Sequence, residues 1–103
     1  MKIVKVTYTT SSEYAEQNKA NINAVMNDLQ NINTSGINYH VCVCADDKTF
    51  IHTAFFQSDE DQKILFNLTS FQHFQSALKA SGPEEGPKQE LLTLVGSSKP
   101  LFN

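Results

Sequence analysis

The 103-residue chain lacks several features that mark specialised classes of protein. It has eight basic residues against eleven acidic ones, so it carries no basic surface of the kind that binds nucleic acid. No apolar stretch approaches the length of a membrane span. The first ten residues alternate between polar and apolar instead of forming the apolar run of a signal peptide. We therefore expect neither nucleic acid nor a membrane among its partners.

Cysteine is also scarce. Cys42 and Cys44 lie two residues apart in one predicted strand, where neighbouring side chains are poorly placed to form a disulfide. We interpret both as reduced thiols, which favours a cytoplasmic location.

The familiar sequence signatures of catalysis are missing as well. The chain shows no glycine-rich phosphate loop, no nucleophile elbow and no paired-carboxylate site. The sequence predicts no cofactor and no metal, and it leaves open whether the protein is an enzyme.

The chain is organised around a predicted β-hairpin at residues 37–57. Residues 37–45 alternate strictly, and residues 49–57 are rich in Phe, Ile and Thr, as strands are. A tight turn at Asp46 and Asp47 joins them. Pairing through this turn places Val43 opposite Phe50 and Cys42 opposite Ile51.

The remaining segments predict two helices and two more strands. Thr10 to Glu13 fits a capping box for a first helix, which ends near Gly36. Ser58 opens a second helix, whose apolar stripe runs from Ile64 to Leu78. The first and last strands are residues 2–9 and 89–96, with a loop at 81–87 and a short tail in which Leu101 and Phe102 could dock. The order β-α-β-β-α-β predicts a single ferredoxin-like α+β domain over residues 1–103, with both helices on one face of a four-stranded antiparallel sheet.

The two faces of this predicted sheet differ in composition. One face carries an almost wholly apolar set, including Val4, Tyr8 and Phe50, and we assign it to the helix-covered core. The other face mixes thiols and apolar residues with polar ones, which is typical of a ligand pocket or a subunit interface. We predict that it lines a ligand cavity through Lys5, Thr7, Cys42, Ile51, Thr53 and Phe55.

The element order, the chain length and the segment Leu68 to Gln75 (LTSFQHFQ) resemble the dimeric α+β barrel superfamily, and in particular the antibiotic-biosynthesis-monooxygenase-like proteins. The segment Pro87 to Gly96 is similar to the final strand of many such domains. The resemblance implies a homodimer in which two sheets pack face to face and enclose a cavity. Members include cofactor-free oxygenases and haem-degrading enzymes. The haem-degrading branch uses an Asn, a Trp and a His, and this chain has no Trp.

The histidines are the candidates for chemistry. His40 shares the mixed face with Thr53, Thr7 and Lys5, and imidazole suits proton transfer near neutral pH, so we predict His40 as the catalytic residue. A histidine hydrogen-bonded in a dimer interface is the alternative. His40 also forms an H-x-C-x-C pattern with Cys42 and Cys44, and thiolates and imidazole suit zinc or copper. Alternate strand residues spread over roughly 13 Å, so one ion cannot easily take all three, but it could take two with help from a partner chain.

The other two histidines are predicted to be structural. His52 falls in the apolar set and is interpreted as a satisfied core or sheet-edge residue, and His73 as a partly exposed helix residue.

Three hypotheses follow from the sequence. The first is a homodimer that binds a small, mostly apolar molecule, as a cofactor-free monooxygenase-like enzyme. The second is a non-catalytic dimer in which the sheet faces that carry no helices cover each other and leave no cavity. The third and weakest is a metal or haem binder.

Overall fold

The computed structural model describes residues 1–102 of the chain. Asn103, the last residue of the predicted tail and domain, lies outside the described residues. In chain order the elements are β1 (Lys2–Thr9), α1 (Ala15–Ile32), β2 (Ile37–Val43), β3 (Thr49–Phe56), α2 (Asp59–Asn67), α3 (Thr69–Ala80) and β4 (Glu85–Leu92). No helix among residues 1–102 is long and apolar enough to cross a membrane.

The strands form one antiparallel sheet in the order β2-β3-β1-β4 over the described residues. This confirms the predicted ferredoxin-like α+β fold. The hairpin register is also confirmed, with Val43 opposite Phe50 and Cys42 opposite Ile51. Asp47 takes a left-handed conformation (φ 62°) in the turn, and Asp46 Oδ1 accepts hydrogen bonds from the backbone N–H groups of Lys48 and Thr49.

The face assignment follows from this register. The core lies between the helices and the predicted apolar face, where Tyr8, Phe50 and Phe56 are each 1% exposed. The helices contribute Val25, Leu65, Phe71, Phe74 and Leu78 to the same cluster. The opposite face carries no helix, and we call it the open face.

The predicted second helix is in fact two helices. Leu68 has an extended backbone (φ −68°, ψ 129°), so α2 ends before it and α3 begins after it. The apolar spacing continues through the break because Leu68 itself packs against the core, and this hid the break in the sequence. Asn67 and Thr69 flank the break, and both are residue types that favour helix ends over helix interiors.

The ends of α1 also differ from the prediction. Thr10 is not its N-cap, because the Thr10 backbone N–H bonds the carbonyl of Lys48 and ties Thr10 to the hairpin. A turn intervenes, in which Ser11 Oγ accepts from the Tyr14 N–H at 3.3 Å, and α1 begins at Ala15. At the other end Asn33, not Gly36, takes the left-handed conformation (φ 59°). Gly36 instead lets the Asp61 carboxylate approach the backbone at the start of α2, and a Cβ at this position would force that side chain to move.

β4 begins and ends about four residues earlier than residues 89–96. Residues predicted as a loop, including Pro87, belong to it. An edge strand tolerates a proline because one of its sides has no ladder partner, and the register with β1 shifts near this point.

The tail returns to the far edge of the sheet. Asn38 Nδ2 donates to the carbonyl oxygen of Leu101 at 3.0 Å, and Leu101 and Phe102 are half-buried. Leu92 ends β4 at the opposite edge, so residues 93–100 span the distance between the two edge strands.

Candidate functional site

A cavity of about 560 Å³ lies between the helix-covered face of the sheet and the helices α2 and α3. Its walls are mostly apolar, and they include Val4, Ala54, Leu65, Phe71, Phe74 and Leu78. Gln75 and Lys79 on α3 and Gln89 on β4 are exposed residues that also line it. These residues mark its mouth.

A chain of four hydrogen-bonded side chains supplies polar groups to this apolar space. Asn18 Nδ2 donates to Tyr8 Oη at 2.8 Å, and Tyr8 Oη is 2.8 Å from His52 Nε2. The other imidazole nitrogen, Nδ1, is 2.5 Å from Tyr39 Oη. Tyr8, His52 and Tyr39 line the cavity, and Asn18 lies behind Tyr8 on α1. We call these four residues the relay.

The sheet register explains why three of these side chains meet. His52 on β3 pairs with Val6 on one side and Val41 on the other. Tyr8 and Tyr39 are therefore diagonal neighbours of His52 on the same face, and diagonal pairs are within reach of aromatic side chains. Asn18 joins them because it sits on the apolar stripe of α1, which packs on this face, and it is fully buried.

Burial determines the protonation states in the relay. His52 is 5% exposed, and removal from water lowers the pKa of its imidazole from 6.5 to about 4, so the ring is neutral at neutral pH. Burial also raises the pKa of the Tyr8 and Tyr39 hydroxyls above their usual range. The relay is therefore an uncharged hydrogen-bond chain in an apolar wall.

The residues predicted from sequence as a catalytic and cavity-lining set all lie on the open face. His40 is exposed and pairs with Thr53 across the β2–β3 ladder, while Thr7 pairs with Ile51 and Lys5 with Thr53. The structure thus brings His40, Lys5, Thr7, Thr53 and Ile51 together on one surface. Cys42 and Phe55 lie on the same surface. None of them lines the cavity between the layers.

The predicted thiols are free, as expected, but they are not buried in the single chain. Cys42 is exposed and Cys44 is half-buried. No group of three or more His, Cys, Asp or Glu side chains within residues 1–102 is arranged to hold a metal ion.

The relay was not predicted from the sequence, because His52 was assigned to the core without a named hydrogen-bond partner. The signal was available. His52, Tyr8, Tyr39 and Asn18 are polar members of largely apolar sets on β3, β1, β2 and α1. A polar group at a core position must find a partner, and four such groups on adjacent elements can satisfy one another.

The end of β4 and the residues beyond it expose a run of large apolar side chains. Leu91 is 67% exposed and Val95 fully exposed, with Leu92 and Leu94 between them at 41% and 37%. Exposed apolar runs of this kind are unusual in a monomer and are typical of surfaces that another chain covers.

Comparison with known proteins supports the fold. No family model matches the sequence, and no curated protein matches it closely. Among solved structures, one described as an antibiotic biosynthesis monooxygenase aligns with a TM-score of 0.75 at 11% identity, over 93% of this chain and 100% of its own. A protein from Mycobacterium tuberculosis aligns with a TM-score of 0.76 at 9% identity, over 95% of this chain and 98% of its own.

A third structure is a mutant of SnoaB, a cofactor-independent oxygenase from Streptomyces nogalater. It aligns with a TM-score of 0.67 at 12% identity, over 96% of this chain and 98% of its own. The chain therefore has the fold of the antibiotic-biosynthesis-monooxygenase-like proteins, as its sequence predicted.

Proposed function

We propose that the protein binds a small, largely apolar molecule in the cavity between its layers and oxidises it as a cofactor-free monooxygenase-like enzyme. The observation that carries this proposal is the relay. It places hydrogen-bonding groups in the wall of an otherwise apolar cavity, next to Phe74 and opposite α2. Ligand sites typically have this composition, with few polar groups that orient the ligand.

The cavity volume supports a ligand of modest size. About 560 Å³ falls within the range of roughly 300–1,000 Å³ that small-molecule sites occupy. Aromatic rings line much of the space, with the Phe71 and Phe74 centroids 5.9 Å apart and those of His52 and Phe74 5.3 Å apart. Such walls favour a planar molecule.

The oxygenase part of the proposal comes from the fold comparison with a cofactor-independent oxygenase. In such a reaction the substrate itself supplies the electrons. An activated CH₂ group loses two C–H bonds and gains C=O, while the second oxygen atom of O₂ leaves as water. The protein then has to bind the substrate, exclude water and stabilise the anion formed by the first loss of a proton.

We further propose that the working form is a homodimer. The open face presents Ile51 and Phe55 together with the thiols, and the end of β4 adds the exposed run from Leu91 to Val95. A second copy would cover both with its own matching surface, as a two-fold interface requires. His40 and its neighbours on the open face lie outside the cavity between the layers, so the catalytic role predicted for His40 would require a separate site that this second copy completes.

A non-catalytic dimer is the alternative, in which the cavity only binds or stores a ligand. The metal or haem hypothesis is weaker, because no group of three or more His, Cys, Asp or Glu side chains within residues 1–102 is arranged to hold a metal ion. Both nitrogens of the buried His52 already take part in hydrogen bonds. The cytoplasmic location stays a prediction from the free thiols.

Two measurements test the proposal. Native mass spectrometry of the purified protein would detect a co-purified molecule of a few hundred daltons. Oxygen uptake would then be followed with 2-indanone, whose CH₂ groups are activated by both the ring and the carbonyl, and the dione product identified. Binding without oxygen uptake, for this probe and for any co-purified ligand, would favour the non-catalytic alternative.

Matched variants distinguish the two candidate sites. We expect Tyr39→Phe and His52→Gln to weaken binding of 2-indanone, while His40→Asn leaves it unchanged. If His40→Asn alone abolished binding, the site would lie on the open face, as predicted from the sequence.

A further inference from the structure

We propose that every hydrogen bond of the relay is donated in the same direction, from Asn18 to Tyr8, from Tyr8 to His52 and from His52 to Tyr39. Tyr39 then donates the last hydrogen bond to a carbonyl or enolate oxygen of the ligand. This inference rests on the proposed ligand site and specifies the class of molecule that the site takes. Its evidence is the balance of donors and acceptors along the relay.

The direction starts at Asn18, whose amide is fully buried and donates through Nδ2 to Tyr8 Oη. Asn18 Oδ1 has no hydrogen-bond partner among the described residues. Rotating the amide would instead leave Nδ2 and both of its hydrogens unpaired. Buried carbonyl groups that lack a partner are more common than unpaired N–H groups, so the donating orientation is favoured.

Tyr8 passes this direction on. Its oxygen accepts from Asn18, and its own hydrogen then needs an acceptor within reach. His52 Nε2, at 2.8 Å, is the other hydrogen-bond partner of this hydroxyl. If Nε2 donated instead, Tyr8 Oη would accept twice, and its hydrogen would be buried without a partner in a side chain that is 1% exposed.

The tautomer of His52 follows. A neutral imidazole carries one hydrogen, so an accepting Nε2 requires the hydrogen on Nδ1. Nδ1 then donates to Tyr39 Oη, 2.5 Å away. The hydroxyl hydrogen of Tyr39 therefore has no acceptor within the relay.

Tyr39 borders the cavity, and within residues 1–102 its hydroxyl has no hydrogen-bond partner other than His52. A ligand oxygen that accepts this hydrogen would complete the relay. Each donor in such a chain polarises the next, so the terminal O–H is a stronger donor than an isolated tyrosine hydroxyl. The relay is uncharged, so it stabilises negative charge that develops on a carbonyl oxygen without protonating it.

Asn18, Tyr8 and His52 are therefore positioning residues, and Tyr39 is the residue that touches the ligand. The first experiment determines the tautomer of His52 by long-range ¹H–¹⁵N NMR of the ligand-free protein. We expect the Nδ1–H form. In alkaline buffer, an ionised Asn18→Asp side chain would accept from Tyr8 and convert His52 to the Nε2–H form. Finding the Nε2–H form in the unmodified protein would overturn the proposed direction.

The second experiment compares the affinities of 2-indanone and of indane, the hydrocarbon of the same shape, by ligand-observed NMR. The ratio of the two affinities isolates the hydrogen bond to the carbonyl. We expect Tyr39→Phe to lower this ratio about tenfold, as the loss of one hydrogen bond to a buried acceptor does. Tyr14→Phe removes a hydroxyl that does not line the cavity, and it should leave the ratio unchanged.

The outcomes separate the two proposals. If both probes bind and Tyr39→Phe leaves the ratio unchanged, the ligand site stands and the donor role of Tyr39 is wrong. If neither probe binds, the ligand site itself is wrong, and the inference fails with it. If Asn18→Asp does not fold, the tautomer of the unmodified protein and the Tyr39→Phe ratio still decide the matter.

Discussion

Replacing His52 with Gln should change how the stability of the protein depends on pH. The imidazole has a pKa of 6.5 in its ordinary state and about 4 in the folded chain, because burial disfavours its charged form. The unfolded chain therefore binds a proton more readily than the folded one as the pH falls from neutral. The contribution of the neutral His52 to the free energy of unfolding is fully present above pH 6.5 and is lost as the pH falls toward 4.

The size of the effect follows from the difference between the two pKa values. Each pKa unit corresponds to about 1.4 kcal/mol, so the unmodified protein should lose about 3 kcal/mol of unfolding free energy between neutral pH and pH 4 through His52 alone. The relay strengthens this expectation. A doubly protonated ring would donate to both tyrosine oxygens and leave the hydrogen of Tyr8 without an acceptor.

Urea unfolding at a series of pH values and one protein concentration provides the measurement. Carboxylates titrate in the same range, so the quantity of interest is the difference between the unmodified protein and His52→Gln. That difference should shrink by about 3 kcal/mol on acidification, which corresponds to about 1–3 M in the urea midpoint. If both proteins lost stability in parallel, the folded state would accommodate a charged His52, and the description of an uncharged relay would be wrong.

Three further predictions concern the core and the open face. Phe74→Ala should lower the free energy of unfolding by about 3–5 kcal/mol in denaturant melts, because Phe74 is 5% exposed. Phe66→Ala, at a position that is 48% exposed, should cost far less, and equal costs would contradict the core assignment. Ile51→Glu should convert the homodimer to an 11.5 kDa monomer in sedimentation equilibrium, while Asn23→Glu on the exposed side of α1 should not. A monomeric unmodified protein would refute the dimer. Thiol labelling of Cys42 should be slow in the dimer and fast in Ile51→Glu, because Cys42 is exposed in the single chain. Fast labelling of a proven dimer would show that the interface lies elsewhere.

The fold could be predicted from the sequence because its signals are local. Strict alternation in β2 and a two-aspartate turn fix the hairpin register, and that register determines both faces of the sheet. The break at Leu68 could not be predicted, since an apolar residue keeps the helical spacing in either backbone conformation. The capping role of Thr10 failed for a different reason, because a tertiary bond to Lys48 outweighed the local motif.

The candidate site was harder to predict than the fold. Each relay residue has an ordinary explanation when it is considered alone, and direct cross-strand pairing sets His52 against two valines. Only the diagonal neighbours across three strands, with α1 packed above them, bring Tyr8, Tyr39 and Asn18 to the ring. The cavity beside them depends on how α2 and α3 sit on the sheet, and a linear pattern carries little of that information.

The break at Leu68 divides the two tasks of the second helical segment. α3 packs against α1 and carries Phe71, Phe74 and Leu78 into the core, so its substitutions affect folding first. α2 is a separate nine-residue helix that contacts α3 and β3 and supplies Leu65 and Phe66 to the cavity wall. Phe66 is half-exposed, so its side chain can change size without a large loss of buried surface. Natural divergence or a designer could therefore reshape the ligand space through α2 while the α1–α3 layer stays as it is.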